Sequence, residues 1–264
     1  CTVAQIKQEV ANVLDMIRTV YGFLEMTFML KLSTRPENFL GDINVWDRAE
    51  MLMTEALNEY SAATGTPWSL NPGDGAFYGP KIDVQVFDAL KRTFQCATAQ
   101  LDFVLPERFG LSYQTAGEDG VPAGSERPVL IHRAVLGSVE RMFAILTEHY
   151  AGKWPFFLSP RQVMIVPVTK AYADYAQLVQ SRIKHAGYYV DVDTTARTLN
   201  KMVREAQLAQ YNYILVVGAD EEKNGTASVR ARDNAQHGSK PVDELIAEFA
   251  RMTADHVLDL QLGV

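Results

Sequence analysis

The run His132-Arg133-Ala134-Val135-Leu136-Gly137-Ser138-Val139-Glu140-Arg141 decides how the first half of the chain is read. Residues 128–131 before it predict a strand. Gly137 permits a close backbone approach and opens a predicted helix that runs to about Tyr150. A helix that begins where a strand ends offers unpaired amides to an anion. Arg141, in its first turn, can face a phosphate or stack on a base, or it can be an ordinary surface partner of Glu140. His132 by itself reads as a core histidine with a partner more readily than as a metal ligand. The other four histidines, His149, His185, His237 and His256, stand apart and form no HExxH or Cys/His pattern. No Ser/His/Asp order, Walker A loop or GxGxxG fingerprint occurs either.

Upstream, Gly75-Ala76-Phe77-Tyr78-Gly79-Pro80-Lys81 is a Gly/Pro hairpin carrying aromatics and a cation. Ile82, Val84 and Val86 alternate after it, and Ala97, Ala99, Leu101 and Phe103 alternate later, which predicts antiparallel sheet. Between them, Cys96, Thr98, Gln100 and Asp102 fall on one predicted strand face. That polar face either lines a pocket or is simply solvated. Residues 26–32 predict another strand, and 46–60 a helix. Thr2-Val3-Ala4-Gln5 has capping-box spacing ahead of Ile6, Val10, Val13, Leu14 and Ile17, and Gly22 is the predicted left-handed stop. Residues 116–127 predict a polar loop.

Residues 154–160, with two prolines, read as a linker. After it the rhythm alternates: strand 162–168, helix 171–186, strand 188–192, helix 199–209, strands 212–217 and 226–231, and helix 241–259. The predicted organisation is residues 1–158 as an α+β antiparallel-sheet unit and 159–264 as an α/β mixed-sheet unit, with 161–264 expected to fold alone.

Composition sets outer limits. The chain has 264 residues, 47% of them hydrophobic and 22% charged, which suits buried cores and excludes wholesale disorder. No apolar run approaches a membrane span, and no secretory signal is read at the start. Two cysteines, Cys1 and Cys96, make no disulfide framework, so a reducing, cytoplasmic setting is expected. The 25 basic and 32 acidic residues give −7. Up to Leu158 there are 13 basic and 19 acidic residues, and after it 12 and 13. Neither part is a bulk polyanion binder, so any RNA contact has to be local, and neither DNA nor membrane partners are expected.

Gly137-Ser138-Val139-Glu140-Arg141 resembles motif 3 of class II aminoacyl-tRNA synthetases. Lys31-Leu32-Ser33-Thr34-Arg35-Pro36-Glu37, Trp46-Asp47-Arg48-Ala49-Glu50, the Gly75 hairpin, residues 95–103 and residues 129–141 occur in the order found in threonyl-tRNA synthetases. Residues 198–201 through 215–218 resemble the anticodon-binding domain of that family. The resemblance implies a class II catalytic domain followed by an anticodon-binding domain. It implies ATP-dependent activation of threonine and transfer to the 3′ end of its tRNA, with Mg²⁺ and Zn²⁺ as cofactors and a homodimeric full-length protein.

Residue by residue, the resemblance gives Tyr78, Gln100, His132 and Ser138 to threonine, and His132 also to zinc, whose other ligands lie upstream. It gives Gln95, Thr98 and Arg141 to ATP, with Lys81 and Arg141 carrying catalysis. Glu221 and Arg230 match anticodon-reading positions. Arg197, Lys201 and Arg204 lie at spacings of four and three and are candidate phosphate contacts, or else a solvated helix face. Ala196 stands where some relatives have an anticodon-contacting Asn. By the same resemblance the chain starts just after motif 2, so residues 1–264 alone are expected to lack aminoacylation activity. The competing readings are prolyl, glycyl or histidyl synthetases, or a non-catalytic nucleic-acid-binding protein on the same scaffold. Finally, Gln95 and Thr98 share the implied site but have opposite parity, which predicts a β-bulge or twist between 95 and 98.

Overall fold

The helix predicted from the capping spacing forms as α1, Ile6–Phe23, behind a 3₁₀ turn at Val3–Gln5; Gln5 Oε1 accepts from the Thr2 amide at 2.8 Å. Its stop differs from the sequence reading. The helix passes through Gly22, the amides of Leu24, Glu25 and Met26 fold back onto the Tyr21 and Gly22 carbonyls, and the left-handed residue is Glu25 at φ 54°. This computed structural model describes residues 1–88, 90–116 and 123–258. It divides into two units, Cys1–His149 and Tyr150–Val264.

In the first unit β1 (Phe28–Ser33) is followed by α2 (Ile43–Thr64), longer than predicted because Asp42 caps its start by accepting from the Asn44 amide and Gly65 closes its end. Then come β2 (Trp68–Asn71), β3 (Lys81–Phe87), β4 (Thr93–Asp102), the short α3 (Leu105–Arg108), β5 (Tyr113–Thr115), β6 (Gly124–Glu126), β7 (Leu130–Ala134) and α4 (Val139–Tyr150). The sheet order is β2-β1-β3-β4-β7, with β1 and β2 parallel and the other pairs antiparallel. Part of the predicted 116–127 loop is β6, which pairs with β5; residues 117–122 lie outside the described residues. β7 extends further than residues 128–131, so His132 sits within the strand. Leu30, Leu32, Ile82, Val84, Ala97, Ala99 and Leu101 are buried, and α1 packs on α2 and β4.

The β3–β4 ladder slips once. Val84 faces Ala97 and Gln85 faces Gln95, so Cys96 is the extra residue. This is the bulge predicted between 95 and 98. The turn from β7 into α4 rests on it: Gly137 has φ +74°, and a Cβ there would lie 2.9 Å from the Cys96 carbonyl oxygen.

The second unit runs β8 (Val163–Pro167), α5 (Ala173–His185), β9 (Val190–Val192), α6 (Leu199–Leu208), β10 (Tyr213–Val217), α7 (Ala219–Asn224), β11 (Thr226–Ala231), β12 (Gln236–Pro241) and α8 (Val242–Ala254). Its sheet has the order β12-β11-β10-β8-β9, parallel from β10 to β9 and antiparallel from β10 to β12. Val163, Ile165, Tyr213 and Leu215 pack with residues of α5 and α8 on one face, while Val166, Ile214 and Val216 pack with α6 on the other. The last helix ends before the predicted 259, a residue outside those described. Neither α7 nor β12 follows from apolar periodicity, since α7 buries no residue and no residue of β12 is buried.

The 154–160 stretch is not a linker. Phe156 is fully buried in the second core and stacks on Phe249 with ring centroids 4.8 Å apart. The first unit ends at His149 and the second begins at Tyr150, so this stretch lies within the second unit. Prolines suggested a connector, but one aromatic side chain outweighs them. Among the described residues no helix is long and apolar enough to cross a membrane.

Two expectations follow from packing. A polypeptide of residues 150–264 should melt cooperatively, whereas one starting at 161 lacks Phe156 and should lose about 3–5 kcal/mol, measured by denaturant titration. Gly137→Ala combines an unfavourable φ with a backbone clash and should destabilise the first unit by about 1–3 kcal/mol in the same measurement.

Candidate functional site

In a β-ladder, parallel or antiparallel, paired residues on neighbouring strands share a face. Registers Asn71–Ser33, Ser33–Lys81, Lys81–Gln100 and Gln100–His132 therefore draw one polar row across all five strands. The next row contains Asp83 and Thr98, and beyond it Gln85 faces Gln95. The extra residue at Cys96 moves Gln95 onto this face. It also takes Cys96 off it: the thiol is buried, and burial pushes its pKa up, with the Arg141 guanidinium pulling part of the way back. The face predicted from simple alternation, Cys96 with Thr98, Gln100 and Asp102, is corrected to Gln95, Thr98, Gln100 and Asp102.

Two buried carboxylates lie under this face. Asp83 accepts from Ser33 Oγ at 2.8 Å, Lys81 Nζ at 2.9 Å and Gln95 Nε2 at 2.6 Å. Lys81 also reaches Asp74 at 3.3 Å. Burial lowers the Lys81 pKa, but Asp83 and Asp74 outweigh it and hold the ammonium above its ordinary value. Asp102 accepts from the amides of Val104 and Leu105, each at 2.9 Å, and its other oxygen lies 2.8 Å from His132 Nε2. Neither Asp83 nor Asp74 was singled out from the sequence. The available signal was the apolar alternation of Ile82, Val84 and Val86, which sets Lys81 and Asp83 together on the other face.

Tyr78 reaches the same row from the hairpin. A Cβ on Gly79 would sit 2.0 Å from the Leu101 carbonyl oxygen, so only glycine lets the hairpin lie against β4 there. The Tyr78 hydroxyl donates to Gln100 Oε1, and its ring meets His132 edge-on at 5.6 Å. Burial, then the Asp102 charge, raises the Tyr78 pKa. Thr98 Oγ1 is buried with no hydrogen-bond partner. Ser138 Oγ accepts from the Arg141 amide at 3.2 Å and so caps α4. Arg141 is exposed and makes no ion pair among the described residues, so it is not held by Glu140. Tyr78, Lys81, Gln95, Thr98, Gln100 and His132 thus share one sheet face, with Ser138 and Arg141 at the helix start beside the bulge.

Among the described residues no group of three or more His, Cys, Asp or Glu could hold a metal. His132 offers one donor. Its Nε2 engages Asp102, which leaves Nδ1, an arrangement that suits a metal-bound imidazole oriented by a carboxylate.

In the second unit Arg230 lies half-buried on β11, opposite Ile214, on the face covered by α6, and makes no ion pair among the described residues. Glu221 caps α7 by accepting from the Gly218 amide at 3.0 Å. Lys201 and Arg204 are exposed on α6. Arg197 does not share that helix: it precedes α6 and pairs with Asp193 at 2.7 Å and with Glu205. Burial would raise the Asp193 pKa, but bonds from Thr195 and Arg197 hold it below the usual carboxylate range.

Residues 1–150 match the tRNA synthetase class II core domain (G, H, P, S and T), and residues 162–252 match the anticodon binding domain. A mitochondrial threonine–tRNA ligase of Arabidopsis thaliana is 57% identical over 97% of this chain and 35% of its own length. A cytoplasmic threonine–tRNA ligase of Rattus norvegicus is 53% identical over 96% of this chain and 35% of its own length. The chain thus spans about a third of the length of these curated relatives. Among solved structures, the RNA binding domain of threonyl-tRNA synthetase from Cryptosporidium parvum Iowa II superposes with a TM-score of 0.89 at 46% identity, covering 96% of this chain and 62% of that one. With its core match over residues 1–150, the chain belongs to the class II tRNA synthetase core-domain family and carries an anticodon-binding domain behind it.

Proposed function

We propose that the chain works as part of a threonine–tRNA ligase. The observation that carries this is the polar sheet face, where Tyr78, Gln100 and His132 converge beside a buried, unpartnered Thr98 hydroxyl. A buried polar atom without a partner is costly unless a ligand supplies one. The threonine–tRNA ligases of Arabidopsis thaliana and Rattus norvegicus, at 57% and 53% identity, support the choice of amino acid.

In this reading the threonine carboxylate attacks the α-phosphorus of ATP, pyrophosphate leaves, and a terminal ribose hydroxyl of the tRNA then takes the acyl group. The protein's part is to orient the reactants and to place charge where phosphate charge develops. Tyr78, Gln100 and Ser138 hold threonine, and Gln95, Thr98 and Arg141 hold ATP, with Mg²⁺ arriving on its phosphates. Lys81 supplies a fixed positive charge. Zinc, when bound, supplies a Lewis acid for the amino and hydroxyl groups of threonine, and His132 is this chain's donor to it. A site committed to a hydroxyl rejects an isostere that lacks it far better than a methyl-sized pocket can. The second unit reads the anticodon through Arg230, with Glu221 holding the α7 end and Lys201 and Arg204 offered to phosphates. Homodimerisation and a cytoplasmic setting complete the reading, the latter resting on the rat relative's name.

In the full-length protein, ATP–pyrophosphate exchange should depend on threonine. Gln100→Ala should lower kcat/KM for threonine by about 10- to 100-fold, since a partly buried hydrogen-bond partner is lost. Exchange driven equally by proline, glycine or histidine would overturn the assignment. Arg230→Ala should raise the tRNA KM and relax anticodon discrimination, by about 1–3 kcal/mol per lost base contact, with exchange unchanged. Unaltered charging of cognate and non-cognate tRNA would remove Arg230 from the readout.

A further inference from the structure

Asp83 touches two of the side chains assigned above without reaching open space itself, being 3% exposed. One of its oxygens accepts from Gln95 Nε2 at 2.6 Å, and the other from Ser33 Oγ at 2.8 Å and Lys81 Nζ at 2.9 Å. The Gln95 bond has a directional consequence. An amide whose nitrogen is committed to a carboxylate turns its oxygen the other way, and the flipped amide would set oxygen against oxygen. Lys81 has a long, flexible stem, and two carboxylates, Asp83 and Asp74, fix it before any substrate arrives.

We propose that Asp83 is a positioning residue of the site: one buried carboxylate that presets the Lys81 ammonium and aims the Gln95 amide oxygen at a hydrogen-bond donor of the nucleotide. The proposal rests on the ATP-and-threonine reading given above. It makes the bulge at Cys96 part of the machinery, because Gln95 reaches Asp83 only on the shifted register. It also separates the two substrates. Tyr78, Gln100 and His132 are anchored by one another and by Asp102, so Asp83 acts on the nucleotide side.

Asp83→Asn is the decisive variant, since it keeps the shape and removes one acceptor. Asparagine can accept from Gln95 or from Lys81, but its amide nitrogen then confronts the other. In the full-length protein, threonine-dependent exchange should show kcat/KM for ATP reduced about 10- to 100-fold, the magnitude of a lost charge-assisted bond. The KM for threonine and the melting temperature should hold. Asp83→Asn combined with Gln95→Ala or with Lys81→Ala should lose less than the product of the single losses, because the residues act as one unit. Full activity of Asp83→Asn, or losses that simply multiply, would overturn the proposal while Lys81→Ala and Gln95→Ala remain impaired. If those two single variants are themselves fully active, the reading of the site falls, and this proposal with it. Should Asp83→Asn fail to fold, Ser33→Ala takes its place: a rise of about 2- to 10-fold in the ATP KM supports the proposal, and an unchanged KM refutes it.

Discussion

One inserted residue sets the geometry of the first unit. Because Cys96 is unmatched in the β3–β4 ladder, every side chain of β4 before it is turned to the opposite face from the one regular alternation dictates. Gln95 thereby joins Lys81, Thr98 and Gln100, and the thiol goes into the core. The same kink exposes the Cys96 carbonyl to Gly137, where only a residue without a Cβ fits. The start of α4, with Ser138 as its cap and Arg141 in its first turn, is thus located by a backbone irregularity on β4, the same strand against which the hairpin carrying Tyr78 lies.

A polar face on a five-stranded sheet is expensive unless each buried group is paired. Asp83 receives three donors from Ser33, Lys81 and Gln95, and Asp102 receives two amides and the imidazole of His132. These networks offset much of the desolvation of the carboxylates. What they leave unpaired is informative. Thr98 Oγ1 has no partner, and it lies between the two networks, on the row that joins Asp83 to Ala134. Stability and recognition meet here: the anchors are satisfied, and the remaining donors and acceptors face the open side.

Much of this was legible in the residues. The strand–glycine–helix pattern at 132–141 and the alternation in β3 led to the sheet and the helix start, and the bulge followed from the parity conflict between Gln95 and Thr98 once the family resemblance put both in one site. Other features were hidden for physical reasons. α7 is a short acidic helix held by a Gly218–Glu221 contact and buries nothing, so periodicity carries no trace of it. Phe156 sits among prolines, and its weight as a core residue emerges only when Phe249, nearly a hundred positions on, is seen beside it. Asp83 is one polar letter in a strand read for its apolar ones. Arg197 shares a spacing with Lys201 and Arg204, but a one-dimensional interval cannot tell that Thr195 and Asp193 have turned it back before the helix begins.

The outer strands of the second sheet bear on how such a unit behaves in solution. At one margin β9 is only three residues long. At the other, β12 reads Gln-His-Gly-Ser-Lys-Pro, with Gly238 in a left-handed conformation and an irregular register against β11 between Ser228 and Arg230. A strand that is kinked, carries a lysine and ends in a proline is a poor template for another chain's backbone. With the valine-, isoleucine- and leucine-rich β8 and β10 at its centre, the sheet would otherwise be apt to pair edge to edge with another chain, so these two blunt margins guard the unit against aggregation.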